Sequence, residues 1–211
     1  MYRVKILATL IPATLLLVWG SSAALATNIP ITDYDFNTQN LGSGGYSQPA
    51  PGWDQGSGDG IIRNAAYGVD NPPDGDTQAG YFNDYLAQSI GTLDTNAVYT
   101  VDFYLSTNTN SAAAMNVELV GGNETSGTVL ASEPFSVTTG NPAVYTSESA
   151  ALIPVGGTPG EALYLEFVRT GGQNFIDTIT ASYTDVPEPS ACLCGLTLLT
   201  GLLIKRHRVS A

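Results

Sequence analysis

The chain has 211 residues and a formal net charge of −12, with seven Lys plus Arg against nineteen Asp plus Glu. Residues 27–185 hold eighteen of the acids but only two basic residues, Arg63 and Arg169, so this stretch carries −16 and repels phosphate backbones, which excludes nucleic acid as a partner. It also has no Cys and no His, which rules out an internal disulfide, a thiol nucleophile, a Ser-His-Asp triad and a histidine metal site.

The first 26 residues read as a secretory signal peptide. Arg3 and Lys5 precede an apolar run from Ile6 to Val18, small residues follow, and Ala24-Leu25-Ala26 is an A-x-A cleavage site. The run is short for a membrane span and is interrupted by Pro12, so the mature chain is expected to begin at Thr27.

From there on, alternation with a period of two predicts strands. Asp33–Phe36, Gly80–Phe82, Leu86–Ile90, Val129–Val137 and Val144–Ala151 are the weaker candidates. The clearest is Val98–Leu105, with Tyr99, Val101, Phe103 and Leu105 on one face. Met115, Val117 and Leu119 alternate with Asn116 and Glu118; Leu163, Leu165 and Phe167 alternate with Tyr164 and Glu166. Phe175–Tyr183 reads as the last strand. Gly121-Gly122-Asn123, Thr139-Gly140-Asn141-Pro142, Gly156-Gly157 and Gly171-Gly172 supply turns. The stretch from Asn37 to Val69 is Gly-rich and irregular. The pattern predicts one all-β domain over residues 27–185, an antiparallel jelly-roll β-sandwich, flanked by a signal helix and a C-terminal hydrophobic anchor helix.

Residues 186–211 form a separate tail. Val186-Pro187-Glu188-Pro189-Ser190 precedes the run Ala191–Ile204, and Lys205-Arg206-His207-Arg208 follows. A fourteen-residue helix is about 21 Å long at ~1.5 Å per residue, a marginal anchor for a hydrocarbon core of ~30 Å. The basic cluster holds the cytoplasmic side, leaving everything before Pro187 outside. Pro-Glu-Pro, a short Leu/Gly-rich helix and a terminal basic cluster together resemble the PEP-CTERM sorting signal of Gram-negative bacteria. Cys192 and Cys194 within the helix and His207 in the basic cluster are minor departures. The resemblance implies that Pro187, Glu188 and Pro189 are the motif read by an exosortase-type sorting enzyme, with Lys205, Arg206 and Arg208 as the basic tail. It further implies export through an inner-membrane-anchored intermediate to the cell surface or extracellular matrix.

Within the domain, Asp35-Phe36, Pro51-Gly52-Trp53, Gln88-Ser89-Ile90, Tyr99–Phe103 and Phe175–Ile179 follow in the order seen in galactose-binding-like jelly rolls, which the domain resembles. That group includes many carbohydrate-binding modules. The resemblance implies a structural calcium ion, with Asp177 at the late position and Asp35 or Asn37 at the early one, where this chain has Phe36-Asn37 instead of Phe-Glu.

Three acidic groups, Asp33/Asp35, Asp54/Asp59 and Asp70/Asp74/Asp76, have the oxygen chemistry calcium needs, but none has EF-hand spacing, and Asp also favours turns on its own account. Aromatic rings stack on the C–H faces of sugars. Trp53, Tyr67, Tyr81 and Tyr85 are therefore the candidate ligand platform, and a core role for Trp53 is the alternative. Eighteen acids guarantee that some carboxylates lie close by chance, so paired carboxylates alone do not establish a glycosidase. The expected function is a non-catalytic surface or matrix protein interacting with extracellular polysaccharide. The alternatives are a carboxylate-dependent glycosidase or lyase, and a structural protein that self-associates through calcium.

Overall fold

Every regular element among the described residues is a strand. The computed structural model describes residues 24–39, 41, 45–47, 49–63, 69–75, 77–108, 111–124, 126–139 and 144–186. Residues 1–23 of the signal sequence, the Pro187–Pro189 motif, the hydrophobic tail, Lys205, Arg206, Arg208 and Tyr67 lie outside them. The strands are β1 (Thr27–Ile29), β2 (Tyr46–Ser47), β3 (Asp54–Gln55), β4 (Gly60–Arg63), β5 (Gln78–Phe82), β6 (Tyr85–Thr92), β7 (Ala97–Ser106), β8 (Ala113–Gly121), β9 (Thr128–Val137), β10 (Thr146–Leu152), β11 (Ala162–Gly171) and β12 (Asn174–Asp185).

They pair antiparallel in two sheets. One runs β10-β7-β12-β5-β4-β2, with β1 also paired to β12; the other runs β3-β6-β11-β8-β9. From β5 to β8 the chain changes sheet at every connection, and it does so again at β9–β10, β10–β11 and β11–β12. This wrapping of one chain around both layers makes the sandwich a jelly roll.

The alternation predicted for β7, β8 and β11 is the alternation found: Val101, Phe103 and Leu105 meet Met115, Val117, Leu119, Leu163, Leu165 and Phe167 between the sheets. Phe103 packs edge-on against Phe167 and Phe135, with ring centroids 5.4 and 5.2 Å apart. Burying each such side chain contributes roughly 1.5–3 kcal/mol, and the sheets are held together chiefly by these contacts.

Two local expectations are corrected. Asp33–Phe36 is not a strand. Asp33 and Phe36 both have left-handed backbones, at φ 50° and 54°, and the Asp33 carboxylate accepts hydrogen bonds from the Thr38 amide (3.0 Å) and the Thr38 hydroxyl. The turn drops the fully buried Phe36 ring onto Gly80, where an added Cβ would lie 2.4 Å from the ring. The irregular stretch from Asn37 to Val69 contains β2, β3 and β4, too short for alternation to register.

Corners where the chain passes between sheets are fixed by polar groups. The buried Asp59 carboxylate accepts the amides of Asn83 (2.6 Å), Asp84 (3.1 Å) and Tyr85 (3.2 Å), closing the β5–β6 corner. Gly172 makes the β11–β12 corner at φ 62°, where any Cβ would strike the Ala112 carbonyl.

Candidate functional site: the outer face of the five-stranded sheet

Because side chains alternate along a strand, the residues between the core positions of β11 point away from the partner sheet: Tyr164, Glu166 and Val168. Register then brings one residue from each strand into a single row. Asp54 of β3 faces Ala87 of β6, Ala87 faces Glu166 of β11, Glu166 faces Glu118 of β8, and Glu118 faces Ser132 of β9. At ~4.8 Å between strands, three carboxylates fall within about 15 Å on one face.

The middle of the row is deep although it lies outside the core. Glu166 is 7% exposed and Ala87 is fully buried, yet neither belongs to the apolar cluster between the sheets. Glu166 Oε1 is buried without a hydrogen-bond partner among the described residues. Glu118 Oε1, by contrast, accepts from Asn116 Nδ2 (3.1 Å) and the Ser132 hydroxyl (3.0 Å). Burial, reinforced by the charges of Glu118, Glu124 and Asp54, pushes the Glu166 carboxyl up to about 7 from an ordinary 4.5. Like charges set directly opposite on neighbouring strands are destabilising, so the sheet carries this row at a cost to its own stability.

Two tyrosines bracket the row. Tyr85 on β6 sits one row beyond Glu166, beside Val168, and Tyr164 on β11 one row before it. They are four residues apart in register, roughly 14 Å at ~3.4 Å per residue. The β8–β9 loop brings Glu124 over the face, where it accepts the Tyr164 hydroxyl. Burial first, and then the carboxylates of Asp54, Asp84, Glu166 and Glu124, push the Tyr85 hydroxyl up. The face therefore combines half-buried aromatic rings with acceptors. Arg169, three residues along β11 from Glu166, donates instead to the carbonyls of Gly172 (2.5 Å) and Asn83 (3.2 Å) at the end of the sheet.

Of the three aromatics singled out in the sequence that lie among the described residues, Tyr85 alone is found on this face. Trp53 is 5% exposed, stacked on Phe36 at 5.6 Å and tilted against Phe167 at 6.1 Å, with Nε1 donating to the Asp33 carbonyl (3.4 Å). Its ring is part of the core, the alternative weighed for it. Tyr81 is buried on the far side of the molecule against Phe175, its hydroxyl accepting from Asn83 Nδ2 (2.5 Å) and Gln173 Nε2 (3.0 Å). Glu166, Glu118, Glu124 and Tyr164 were not among the sequence candidates. The signal for Glu166, Glu118 and Tyr164 was the outward parity of Tyr164/Glu166 and Asn116/Glu118, and Glu124, in a loop, had none.

The proposed calcium ligands come from adjoining segments: Tyr34 accepts the Ile179 amide through its carbonyl (2.9 Å), which ties the Asp33–Thr38 turn to β12 near Asp177. Asp35 Oδ1 accepts the Asn37 amide (3.4 Å), Asn37 is exposed, and Asp177 is fully buried with Oδ2 accepting the Thr178 hydroxyl (3.2 Å). Among the described residues no three Asp, Glu, His or Cys side chains are grouped to hold a metal ion.

No protein-family model and no curated protein matches the chain. Solved structures do resemble it in fold. A Stig cyclase, Fisc, from Fischerella sp. TAU in complex with (3Z)-3-(1-methyl-2-pyrrolidinylidene)-3H-indole superposes with a TM-score of 0.60 at 16% identity, over 77% of this chain and all of that one. A cyclase from Fischerella sp. TAU in complex with 4-(1H-indol-3-yl)butan-2-one gives 0.58 at 16% identity, again over 77% and 100%. The arabinose-bound MgGH51 α-L-arabinofuranosidase gives 0.52 at 13% identity, over 78% of this chain and 27% of that one. At such identities the likeness is one of fold.

Proposed function

We propose that this chain is an exported, non-catalytic surface or matrix protein that holds extracellular polysaccharide on the outer face of its five-stranded sheet. The observation that carries the reading is the row through Glu166: a buried carboxylate oxygen without a described partner, set between two tyrosines on the outer face of the five-stranded sheet. A tyrosine ring supplies a stacking surface at little entropic cost, while carboxylates and Asn116 take hydroxyl hydrogens. The tail places the domain: the Pro187-Glu188-Pro189 motif is the recognition element for an exosortase-type enzyme, and Lys205, Arg206 and Arg208 hold the cytoplasmic side until processing.

Two measurements test this. Binding to a glycan array and to the host's own polysaccharide is expected to fall about tenfold in Tyr85→Ala and in Tyr164→Ala, at ~1–1.5 kcal/mol per lost stacking contact, with the circular dichroism spectrum unchanged. No binding above background by the parent protein removes the sugar reading. Replacing Pro187 and Pro189 by Ala is expected to leave the protein in the membrane fraction, and unaltered release would remove the sorting reading. The calcium ion expected beside Asp177 is a separate claim: a lower melting midpoint after chelation supports it, and an unchanged one removes it.

The glycosidase alternative has one specific observation in its favour. Glu166, held near 7, directly faces Glu118, and an acid protonated near neutral pH beside a second carboxylate is what glycosidic hydrolysis uses. Turnover of a polysaccharide that disappears in Glu166→Gln would establish it over the binding role.

A further inference from the structure

The five-stranded face discriminates by charge as well as by shape. Asp54, Glu118 and Glu124 surround Glu166 from β3, β8 and the β8–β9 loop, Tyr85 and Tyr164 flank it from β6 and β11, and Arg169 is engaged with carbonyls at the sheet end. A polymer of uronic acids would bring further negative charge to this row and be repelled. A neutral sugar could donate a hydroxyl to the lone Glu166 oxygen but would leave the carboxylates uncompensated. An ammonium on a sugar ring answers both needs at once, with three donors and a positive charge.

We infer that the sugar unit seated over Glu166 carries a protonated amine, so that the polymer recognised is built at least partly of amino sugars with free amino groups. This rests on the sugar-binding reading of the same face. The ring that bears the amine stacks against Tyr85 or Tyr164, and the separation of the two tyrosines lets neighbouring rings of one chain use both. Seating a cation there favours the ionised form of Glu166, so binding releases a proton from it. That release is fully developed where free Glu166 still holds its proton and the amine is already charged, at about pH 6.

The test is calorimetry on the full chain with four oligosaccharides of equal length: glucosamine, N-acetylglucosamine, glucose and glucuronate oligomers. The glucosamine oligomer is expected to bind about tenfold or more tighter than the N-acetylated one, a difference of the size a close charge pair supplies, and the glucuronate oligomer not at all. At about pH 6, titrations in buffers of different ionisation heat should show proton release with the glucosamine oligomer, absent in Glu166→Gln. That variant keeps the shape of the side chain, and Glu118→Gln, which loses part of the same preference, serves as a second variant should the first fold poorly. N-acetylated or neutral oligomers binding as tightly as the amine overturn this inference and leave the sugar reading standing. Binding of the glucosamine oligomer that is unchanged in both Tyr85→Ala and Tyr164→Ala overturns the site itself. Equal, Glu166-dependent binding of an oligolysine or of Ca²⁺ alone also overturns the inference, since the row would then be a seat for any cation.

Discussion

Outside the seven-stranded sheet, Ala79, Tyr81 and Phe175 gather with Val69 into a small apolar cluster of their own. Outside the five-stranded sheet, Ala87 is just as deeply buried, but its row neighbours are Asp54 and Glu166. The same pleat thus closes one flank with a second apolar layer and leaves the other polar. An outer face can be stabilised by covering it with apolar side chains; this one carries facing carboxylates instead.

That contrast can be broken most severely on the covered side. Phe175→Ala should remove about 3–5 kcal/mol of stability by opening a cavity beside Val69, seen as a lower urea midpoint, while sugar affinity per folded molecule stays within about twofold. The next largest effect belongs to Glu166. Its carboxyl is raised to about 7 from 4.5, so below pH 4.5 the folded and unfolded states both hold the proton and stability from this group is at its full value. As pH rises the unfolded chain ionises first, and stability falls until Glu166 ionises near 7, a loss of up to ~3 kcal/mol at 1.36 kcal/mol per unit. Glu166→Gln should remove that slope, leaving the variant more stable than the parent at pH 8 and little different at pH 4. An equally steep decline in the variant would show that another group causes it. Smallest is Asp54→Asn: with two strand spacings, about 10 Å, and solvent between, it should lower the Glu166 midpoint by roughly 0.3 unit in a carbon-detected NMR titration.

These contrasts also mark how far the sequence could be read. Alternation placed Leu163, Leu165 and Phe167 on one side and Tyr164 and Glu166 on the other, and the structure keeps that parity. What alternation cannot convey is which strands are neighbours. Glu118 and Glu166 are 48 positions apart and Asp54 is further still, and only the order β3-β6-β11-β8 makes one row of them. Trp53 was ambiguous for a different reason: a large ring in a Gly/Pro-rich loop can lie outward or inward, and Phe36 and Phe167 provide the apolar contacts that draw it in. Asp33–Phe36 misled because a turn that inserts one aromatic imitates two residues of alternation.

β12 closes at Asp185, and over its last residues it is bonded to β7 on one side and to β1 on the other. Both ends of the domain consequently leave the same pole, from a strand gripped on two flanks. If the tail moors the domain while a polymer drags on the five-stranded sheet, the load enters through this doubly clasped strand. Pulled lengthwise, its ladder bonds resist together rather than peeling one by one, which suits a part that must hold against flow.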